Sequence, residues 1–433
     1  MEINSLNENQ IEAVRWNEGP LLVLAGPGSG KTRVLTYRIA RLIEETPDKH
    51  FKILGLTFTN KAAAEMRERI ENLVGGASQR TLLSTFHSFA ADILRQHGHH
   101  LGLRPDFTIL AQHADREALL DDVIKSLPGD ETDHLRTGER LLPIITRLSD
   151  HNVPEESAAK FLGEREVKSP EIIASIYSEY RKSMRERNEL DFGGLMAEVL
   201  GMLDAMPAVR SHVRRVYPYV CVDEFQDTNF SQYRMLLNLV NPKTHNVFVV
   251  ADDDQIIYQW NGASPKRLDA LKDDFNMTVV QLPENYRCPP EVIDIANKLI
   301  SNNLGRAADK RLLIAHKSPE GEGAIRVNSF NSFEEEAQWV ASEIAQEPKE
   351  HRRSCVVLAR TRKLLEHVKS AFEETGINAY IAMRKDEFVS APMAWLHAML
   401  RLGNARNDRE QLRRVCKHFF YLEGIDLNVR DIA

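Results

Sequence analysis

A glycine-rich segment near the N-terminus has the residue types and spacing of a phosphate-binding loop. It follows an apolar run at 21–24, precedes a helical pattern, and consists of Ala25, Gly26, Pro27, Gly28, Ser29, Gly30, Lys31 and Thr32. Small residues let backbone N–H groups curl around an anion, and the following helix adds its positive end. We therefore expect Lys31 to contact the β- and γ-phosphates of ATP and the Thr32 hydroxyl to ligate Mg²⁺. The alternative is a structural glycine turn.

Two adjacent acidic residues, Asp223 and Glu224, directly follow a second apolar run at 219–222. Ligands of open α/β sheets bind at the carboxyl ends of strands, where these side chains would lie. Asp223 is suited to hold Mg²⁺, because hard cations prefer carboxylate oxygen. Glu224 is suited to activate the attacking water as a general base. Acidic residues also cap helices at such positions, but together with the phosphate loop the pair predicts ATP hydrolysis.

Short apolar runs rich in β-branched residues recur along the chain and are typical of strands buried on both faces. They lie at 21–24, 53–56, 219–222, 247–250 and 278–280. A helical pattern follows each run, which predicts a parallel sheet with crossover helices. The fold class expected from this pattern is α/β, doubly wound.

Other regions of the chain have a different pattern of residue types. Residues 93–187 contain few strand-like runs and many helix formers, which indicates a helical insertion between two halves of one sheet domain. A second α/β pattern begins after about 284, with strand candidates at 325–327 and 355–358, and the chain becomes helical again from about 387.

The composition excludes several classes of protein. Of 433 residues, 42% are hydrophobic and 27% are charged, which excludes a disordered or fibrous chain. We expect no membrane span and no secretory signal, and therefore a cytoplasmic location. The net charge of −7 argues against binding nucleic acid by bulk charge but leaves room for a local basic groove. The four cysteines have no metal-ligand spacing and are expected to be free and mostly buried.

Seven segments, in order along the chain, resemble motifs of the UvrD/Rep/PcrA group of superfamily 1 DNA helicases. They are 6–10 (LNENQ), 57–66 (TFTNKAAAEM), 85–89 (TFHSF), 190–192 (LDF), 222–229 (VDEFQDTN), 252–263 (DDDQIIYQWNGA) and 282–287 (LPENYR). The resemblance implies an ATP- and Mg²⁺-dependent motor that moves 3′ to 5′ on single-stranded DNA and unwinds duplex. Its partners would be single-stranded and partly duplex DNA.

The resemblance also implies a domain organisation. Residues 1–92 and 188–283 would form a first RecA-like motor domain, interrupted by a helical insertion at 93–187. Residues 284–386 would begin a second RecA-like domain, and 387–433 would begin a helical accessory insertion within it.

Further residues of an ATP site follow from the resemblance. Gln10 would bind the adenine edge, Tyr286 would stack on the adenine, and Arg287 would reach the γ-phosphate. Arg33, next to the phosphate loop, would belong to the same set. Gln255 would lie between the γ-phosphate and the DNA-contacting loop and sense loss of the phosphate.

The DNA contacts are also implied by the motifs. A motor that tracks one strand needs aromatic faces on which bases stack, and Phe58, Tyr258 and Trp260 are placed for this role. The alternative for Phe58 and Tyr258 is that they are core aromatics. Other contacts would come from polar side chains of the same motifs, namely Thr59, Asn60, Thr85 and His87.

The chain departs from the family pattern at several points. Ile256 and Asn261 replace a serine and an arginine of the motif at 252–263, and the loss of the arginine removes a positive group near the DNA. Two later motifs, one of which supplies another arginine to the γ-phosphate, are not found between 288 and 433. We therefore expect a fragment of a longer helicase with slow ATP hydrolysis, or else a naturally short relative.

Two other functions remain open at this stage. The chain could act as a nucleotide- and DNA-binding module that does not unwind DNA. It could also be the motor part of a helicase–nuclease, although these residues contain no nuclease motif.

Overall fold

The computed structural model describes residues 5–47, 50–127, 138–259, 262–303, 306, 309–321, 324–382, 390–404, 409–425, 427 and 432. Contacts between residues divide the chain into a first unit, Met1–Glu320, and a second unit, Gly321–Ala433.

All strands among the described residues lie in the first unit. They are β1 (Leu21–Ala25), β2 (Ile53–Thr57), β3 (Thr81–Thr85), β4 (Thr108–Ile109), β5 (Glu189–Leu190), β6 (Tyr219–Val222), β7 (Val247–Ala251), β8 (Thr278–Leu282), β9 (Glu284–Asn285) and β10 (Ile314–Ala315).

The helices of the first unit are α1 (Glu8–Arg15), α2 (Lys31–Glu45), α3 (Asn60–Leu73), α4 (Ala77–Arg80), α5 (Phe86–His97), α6 (His113–Ser126), α7 (Gly138–Asp150), α8 (Ala158–Gly163), α9 (Pro170–Arg187), α10 (Phe192–Ala205), α11 (Pro207–Val216), α12 (Phe230–Leu239), α13 (Pro265–Phe275) and α14 (Pro290–Ile300). The second unit contains α15 (Phe333–Gln346), α16 (Lys349–Arg352), α17 (Arg362–Glu374), α18 (Ala391–Asn404) and α19 (Arg409–Glu423).

Six strands form one parallel sheet in the order β3-β2-β6-β7-β1-β8. Side chains of β1 alternate between the two faces: Leu22 and Leu24 belong to one buried cluster, whereas Leu21 and Val23 belong to the other. Helices cover both faces, which explains why the central strands are continuously apolar. The predicted α/β fold with a parallel sheet is confirmed.

Five strands of this sheet match the apolar runs of the sequence, but β3 was not predicted. Only two of its residues, Leu82 and Leu83, are apolar, and it lies at the edge of the sheet. Polar Thr81, Ser84 and Thr85 are nevertheless buried, because α3 and α5 pack beside the strand.

A separate hydrophobic cluster lies within the predicted helical insertion. It is built from residues between Leu110 and Met184 on α6 to α9. Helix α5 packs instead on the sheet through Phe86, Phe89 and Ile93. The first unit extends to Glu320, so it includes residues that the sequence assigned to the second α/β region. The domain bounds stay a prediction.

The strand candidates in the second unit are wrong. Residues 325–327 and 355–358 form no strand, and Val327 and Leu358 are 91% and 89% exposed. A strand requires a neighbouring backbone to pair with, and no described residue of this unit provides one. The same exposure makes Cys355 a surface thiol, although Cys221 and Cys416 are buried as expected.

Among the described residues, no single helix has the length and apolar character needed to cross a membrane, although one sharply bent pair, Phe192–Ala205 with Pro207–Val216, passes on length and composition.

Candidate active site

The glycine-rich loop connects the end of β1 to the start of α2, as its sequence predicts. Gly28 and Gly30 have φ angles of +68° and +88°, a left-handed region that favours glycine. A Cβ atom on Gly28 would lie 2.6 Å from Cβ of Arg287, and one on Gly30 would lie 2.8 Å from Nε2 of Gln10. Both backbone conformation and close packing therefore require glycine here.

The first turn of α2 is arranged to meet an anion. Gly30 precedes the helix and offers no side chain to accept its N–H groups. Ser29 is buried, and its hydroxyl donates to Gly26 O at 2.7 Å, which holds the loop closed on itself. The helix therefore presents backbone donors and its positive end towards the loop.

Lys31 points its ammonium group into a set of carboxylates. Its Nζ atom lies 3.8 Å from both Glu224 Oε2 and Asp252 Oδ2, and it donates to Ala25 O at 3.4 Å. The acidic side chains follow β6 and β7; β7 pairs with β1, and β6 is the next strand beyond β7. The order of the strands thus brings together three residues that are far apart in sequence.

Thr32 and Asp223 form the candidate Mg²⁺ site. The Thr32 hydroxyl donates to Asp223 Oδ2 at 3.2 Å. Burial, followed by the charge of Glu224, raises the pKa of Asp223 to about 6, while the Thr32 hydrogen bond and Lys31 act in the opposite direction. A hydroxyl and a carboxylate are oxygen ligands of the type that Mg²⁺ prefers, so the donor set fits this ion.

Glu224 occupies an unusual backbone conformation for its residue type, with φ of +50°. Its side chain is 36% exposed, and Oε2 accepts a hydrogen bond from Gln226 Nε2 at 2.8 Å. The other end of the Gln226 amide accepts from Asp252 N at 3.0 Å. Buried Gln226 thus joins the loop after β6 to the loop after β7.

Gln255 lies in the loop after β7, close to the phosphate-binding elements. Its Nε2 atom donates to Asp252 Oδ2 at 2.7 Å, the same oxygen that faces Lys31. The structure therefore brings Gln255 together with Lys31 through one carboxylate.

Gln10 and Tyr286 meet through a residue that the sequence did not single out, Asn7. Asn7 and Gln10 form the capping box that starts α1. Asn7 Nδ2 also donates to the Tyr286 hydroxyl at 2.8 Å, and the Tyr286 ring lies 4.5 Å from the ring of His316. Gln10 Nε2 donates to Ser29 O at 2.9 Å, which places the amide against the glycine-rich loop.

The segment at 284–288 docks directly on the glycine-rich loop. Asn285 is fully buried, and its side chain donates to Pro27 O and accepts from the backbone N of Arg287 and Cys288. Tyr286 N donates to Gly28 O at 3.0 Å. Arg287 is consequently held beside the loop with an exposed side chain.

Arg33 lies one residue beyond Thr32 on α2. Its Nη2 atom donates to Ser5 Oγ at 2.6 Å, and its guanidinium lies 5.5 Å from the centre of the Tyr37 ring. These contacts place Arg33 near the segment that leads into α1.

The candidate DNA contacts lie at the carboxyl ends of β2, β3 and β7. The rings of Phe58 and Tyr258 stack with centroids 5.5 Å apart and an interplanar angle of 27°. Phe58 is 37% exposed and Tyr258 is half-buried, so neither ring is fully buried in the core. Trp260 and Asn261 lie outside the described residues, and Ile256 is half-buried in the same loop.

Several of the polar residues expected to contact DNA make hydrogen bonds that stabilise the starts of helices. Thr59 and Thr85 each accept a backbone N–H at the start of α3 and α5, respectively. Asn60 accepts a hydrogen bond from Ser88 at 3.4 Å, which links the two helix starts. The ring of His87 packs on Phe192 at 5.0 Å, and burial lowers the pKa of His87 to about 4.

The sequence missed four buried polar residues of the site: Gln226, Asp252, Asn285 and Lys310. Gln226, Asp252 and Asn285 lie inside motifs that had been recognised, so their positions in those motifs could have identified them. Lys310 lies outside every motif, and only the fold places it beside Asp252.

The glycine-rich loop, the carboxylates and the parallel sheet define a P-loop protein with a RecA-like fold. Residues 6–276 match the UvrD/REP helicase N-terminal domain, and residues 280–425 match the UvrD-like helicase C-terminal domain. The chain belongs to the UvrD/REP helicase family.

Two curated relatives illustrate the similarity. The chain is 32% identical over 417 residues to a protein named ATP-dependent DNA helicase PcrA from Staphylococcus epidermidis. It is 31% identical over 419 residues to a protein of the same name from Staphylococcus aureus. Each alignment covers 95% of this chain and 56% of the relative, so the chain spans little more than half the length of these relatives.

Proposed function

We propose that this chain is the ATP-hydrolysing part of a DNA helicase that moves 3′ to 5′ on single-stranded DNA. One observation carries the proposal. The short loop after β7 holds Gln255 against Asp252, which faces Lys31, and holds Tyr258 against exposed Phe58. A change at the phosphate end of this loop would therefore move an aromatic face at its other end.

ATP is the proposed substrate, with its phosphates in the glycine-rich loop. Lys31 binds the β- and γ-phosphates, and Arg287 approaches the γ-phosphate from beside Gly28. Glu224 accepts a proton from the attacking water, helped by its exposure and by the hydrogen bond that fixes its carboxylate. Gln10, Tyr286 and Arg33 form the side of the site that binds the nucleoside.

Mg²⁺ is the proposed metal, held by Thr32 and Asp223. When bound, this ion neutralises charge that develops on the phosphate oxygens. Thr32 and Asp223 orient each other through their hydrogen bond, and Lys31 provides a second positive charge nearby.

The proposed DNA strand crosses the carboxyl ends of β2, β3 and β7. Phe58 and Tyr258 offer ring faces on which bases stack, and the motif implies that Trp260 is a further stacking residue. Thr59, Asn60, Thr85 and His87 contribute polar contacts. The domain division given above, the 3′ to 5′ polarity and a cytoplasmic location complete this proposal. The relatives are named ATP-dependent DNA helicases, which supports the proposed helicase activity.

The test is ATP turnover by residues 1–433, with and without a single-stranded oligonucleotide. We expect turnover that DNA stimulates and that both Lys31→Ala and Glu224→Gln abolish. Lys125→Ala, at an exposed lysine of α6, is the matched control and should behave like the wild type. Turnover that survives Lys31→Ala would refute the proposed ATP site.

A further inference from the structure

Three consecutive carboxylates follow β7, those of Asp252, Asp253 and Asp254. One oxygen from each lies within 4.8 Å of the others, an arrangement that could hold a metal ion. In this structure the positive charge among these carboxylates is the ammonium group of Lys310. The Lys310 ammonium lies 3.1 Å from Asp252 Oδ1 and 2.7 Å from Asp254 Oδ2, and it also bonds Asp253.

This ammonium is almost removed from solvent. The Lys310 side chain is 5% exposed and that of Asp252 is fully buried. Burial disfavours the charged amine, but the carboxylates of Asp252 and Asp253 outweigh burial and raise the pKa of Lys310. Lys310 is therefore a permanent positive charge, and its loss would leave buried carboxylates unpaired.

Arg306 completes the group, which we call the lysine clamp (Arg306, Lys310 and residues 252–254). Arg306 Nε lies 3.1 Å from Asp254 Oδ1. Its Nη1 atom donates to Lys310 O at 2.9 Å. The arginine thus binds one aspartate and also fixes the backbone that carries the lysine.

The clamp holds the carboxylate that faces the ATP site. Asp252 bonds Lys310 through Oδ1, and its Oδ2 accepts from Gln255 and lies 3.8 Å from Lys31 Nζ. One buried carboxylate therefore has a phosphate-binding lysine on one side and Lys310 on the other. Its orientation decides where the Gln255 amide points.

Lys310 is also tied to the segment that carries Arg287. The backbone of Arg311 donates to Gln281 at 2.8 Å, and β10 pairs with β9, which contains Asn285. Asn285 in turn bonds the glycine-rich loop and the backbone of Arg287. The lysine clamp therefore connects the loop after β7 to the second element that approaches the phosphates.

We propose that Lys310 is a positioning residue that couples nucleotide binding to DNA binding by holding Asp252 and the 253–258 loop in one arrangement. The inference rests on the proposed function. Without the Lys310 ammonium, the three carboxylates repel one another and the γ-phosphate, and the loop that carries Gln255 and Tyr258 loses its fixed position. Each ligand can then still bind, but binding of one no longer changes the affinity for the other.

The experiment measures this coupling directly. The affinity of residues 1–433 for a fluorescent oligodeoxythymidylate is determined by anisotropy with and without a saturating non-hydrolysable ATP analogue. We expect the two affinities of the wild type to differ by about fivefold or more, a typical coupling factor. In Lys310→Met the ratio should fall towards one, although each ligand still binds.

Three further variants distinguish a loss of coupling between the two ligands from a loss of folding. Lys317→Met, at an exposed lysine of the same segment, should keep the wild-type ratio. Lys310→Arg, which keeps the charge, should restore much of it. If Lys310→Met does not fold, Lys310→Met combined with Asp253→Asn removes one unpaired carboxylate and is measured instead, with the same expected loss of coupling.

The outcomes distinguish the two proposals. A wild type that binds neither the analogue nor DNA refutes the proposed function. A wild type that binds both ligands independently refutes the coupling role of Lys310 but not the proposed function. The same holds for a Lys310→Met variant that keeps the full ratio of the two DNA affinities. A lowered ratio in Lys310→Met with a normal ratio in Lys317→Met supports the coupling role of Lys310.

Discussion

The Thr32 hydroxyl donates to the Asp223 carboxylate at 3.2 Å, although 191 positions separate the two residues in the chain. Thr32 lies in the first turn of α2, which follows the glycine-rich loop, and Asp223 follows β6. The two side chains meet because α2 starts at the same edge of the sheet at which β6 ends.

Thr32→Val removes this hydroxyl with little change in shape. The lost interaction is a hydrogen bond to a charged carboxylate, and such a bond is worth about 1.5–3 kcal/mol. We therefore expect the Mg²⁺ concentration needed for half-maximal ATP turnover to rise about tenfold or more. A Mg²⁺ titration of turnover measures this. Thr36→Val, which removes another hydroxyl of α2, one that donates to Arg33 O within the helix, should leave the Mg²⁺ requirement unchanged. An equal shift in both variants would contradict the assignment.

Gly28→Ala tests the shape of the glycine-rich loop. An alanine at φ of +68° costs about 1–2 kcal/mol, and its Cβ would lie 2.6 Å from Cβ of Arg287. We expect binding of a fluorescent ATP analogue to weaken about tenfold or more, because the loop and the 284–288 segment must separate. Gly75→Ala is the control, since a Cβ there meets nothing within 4 Å. Unchanged nucleotide affinity in Gly28→Ala would show that this docking is dispensable.

Phe58→Ala and Tyr258→Ala test the proposed stacking surface. Each should weaken binding of single-stranded DNA by about 1–3 kcal/mol, the value of one base stacked on an aromatic ring. Because the two rings are in contact, the double variant should lose less than the sum of the two single losses. Anisotropy titrations measure these affinities. Tyr421→Ala, at a 61% exposed tyrosine of the second unit, should have no effect, and strictly additive losses would argue against a shared site.

His87 makes the folded protein less stable in acid. Burial lowers the pKa of His87 from 6.5 to about 4, so between these values the unfolded chain binds the proton and the folded chain does not. Stability is therefore lost as the pH falls from 6.5 towards 4. His87→Gln should flatten this part of the pH profile of the unfolding free energy, measured by denaturant titration. His50→Gln, at an exposed histidine, should keep the wild-type slope, and an unchanged slope in His87→Gln would contradict burial as the cause.

The sequence alone was sufficient to place the glycine-rich loop and the two acids at one edge of the sheet, because parallel strands end at the same edge. The strand order β6-β7-β1, which brings them close together, was decided only by the fold. The strands were recognisable because their apolar runs are buried on both faces. Edge strand β3 lacks such a run and was missed, and the exposed apolar runs at 325–327 and 355–358 were mistaken for strands.

Only the tertiary structure decided how the polar groups of the site are satisfied. Gln226 joins two loops, Asn285 bonds the glycine-rich loop, and Lys310 forms ion pairs with three aspartates that lie 56 to 58 positions away in the chain. No local pattern marks Lys310, because its burial and charge depend on residues that approach it only after folding. Hydrophobic periodicity is a local property of the chain, whereas the pairing of buried charges depends on which distant segments the fold brings into contact.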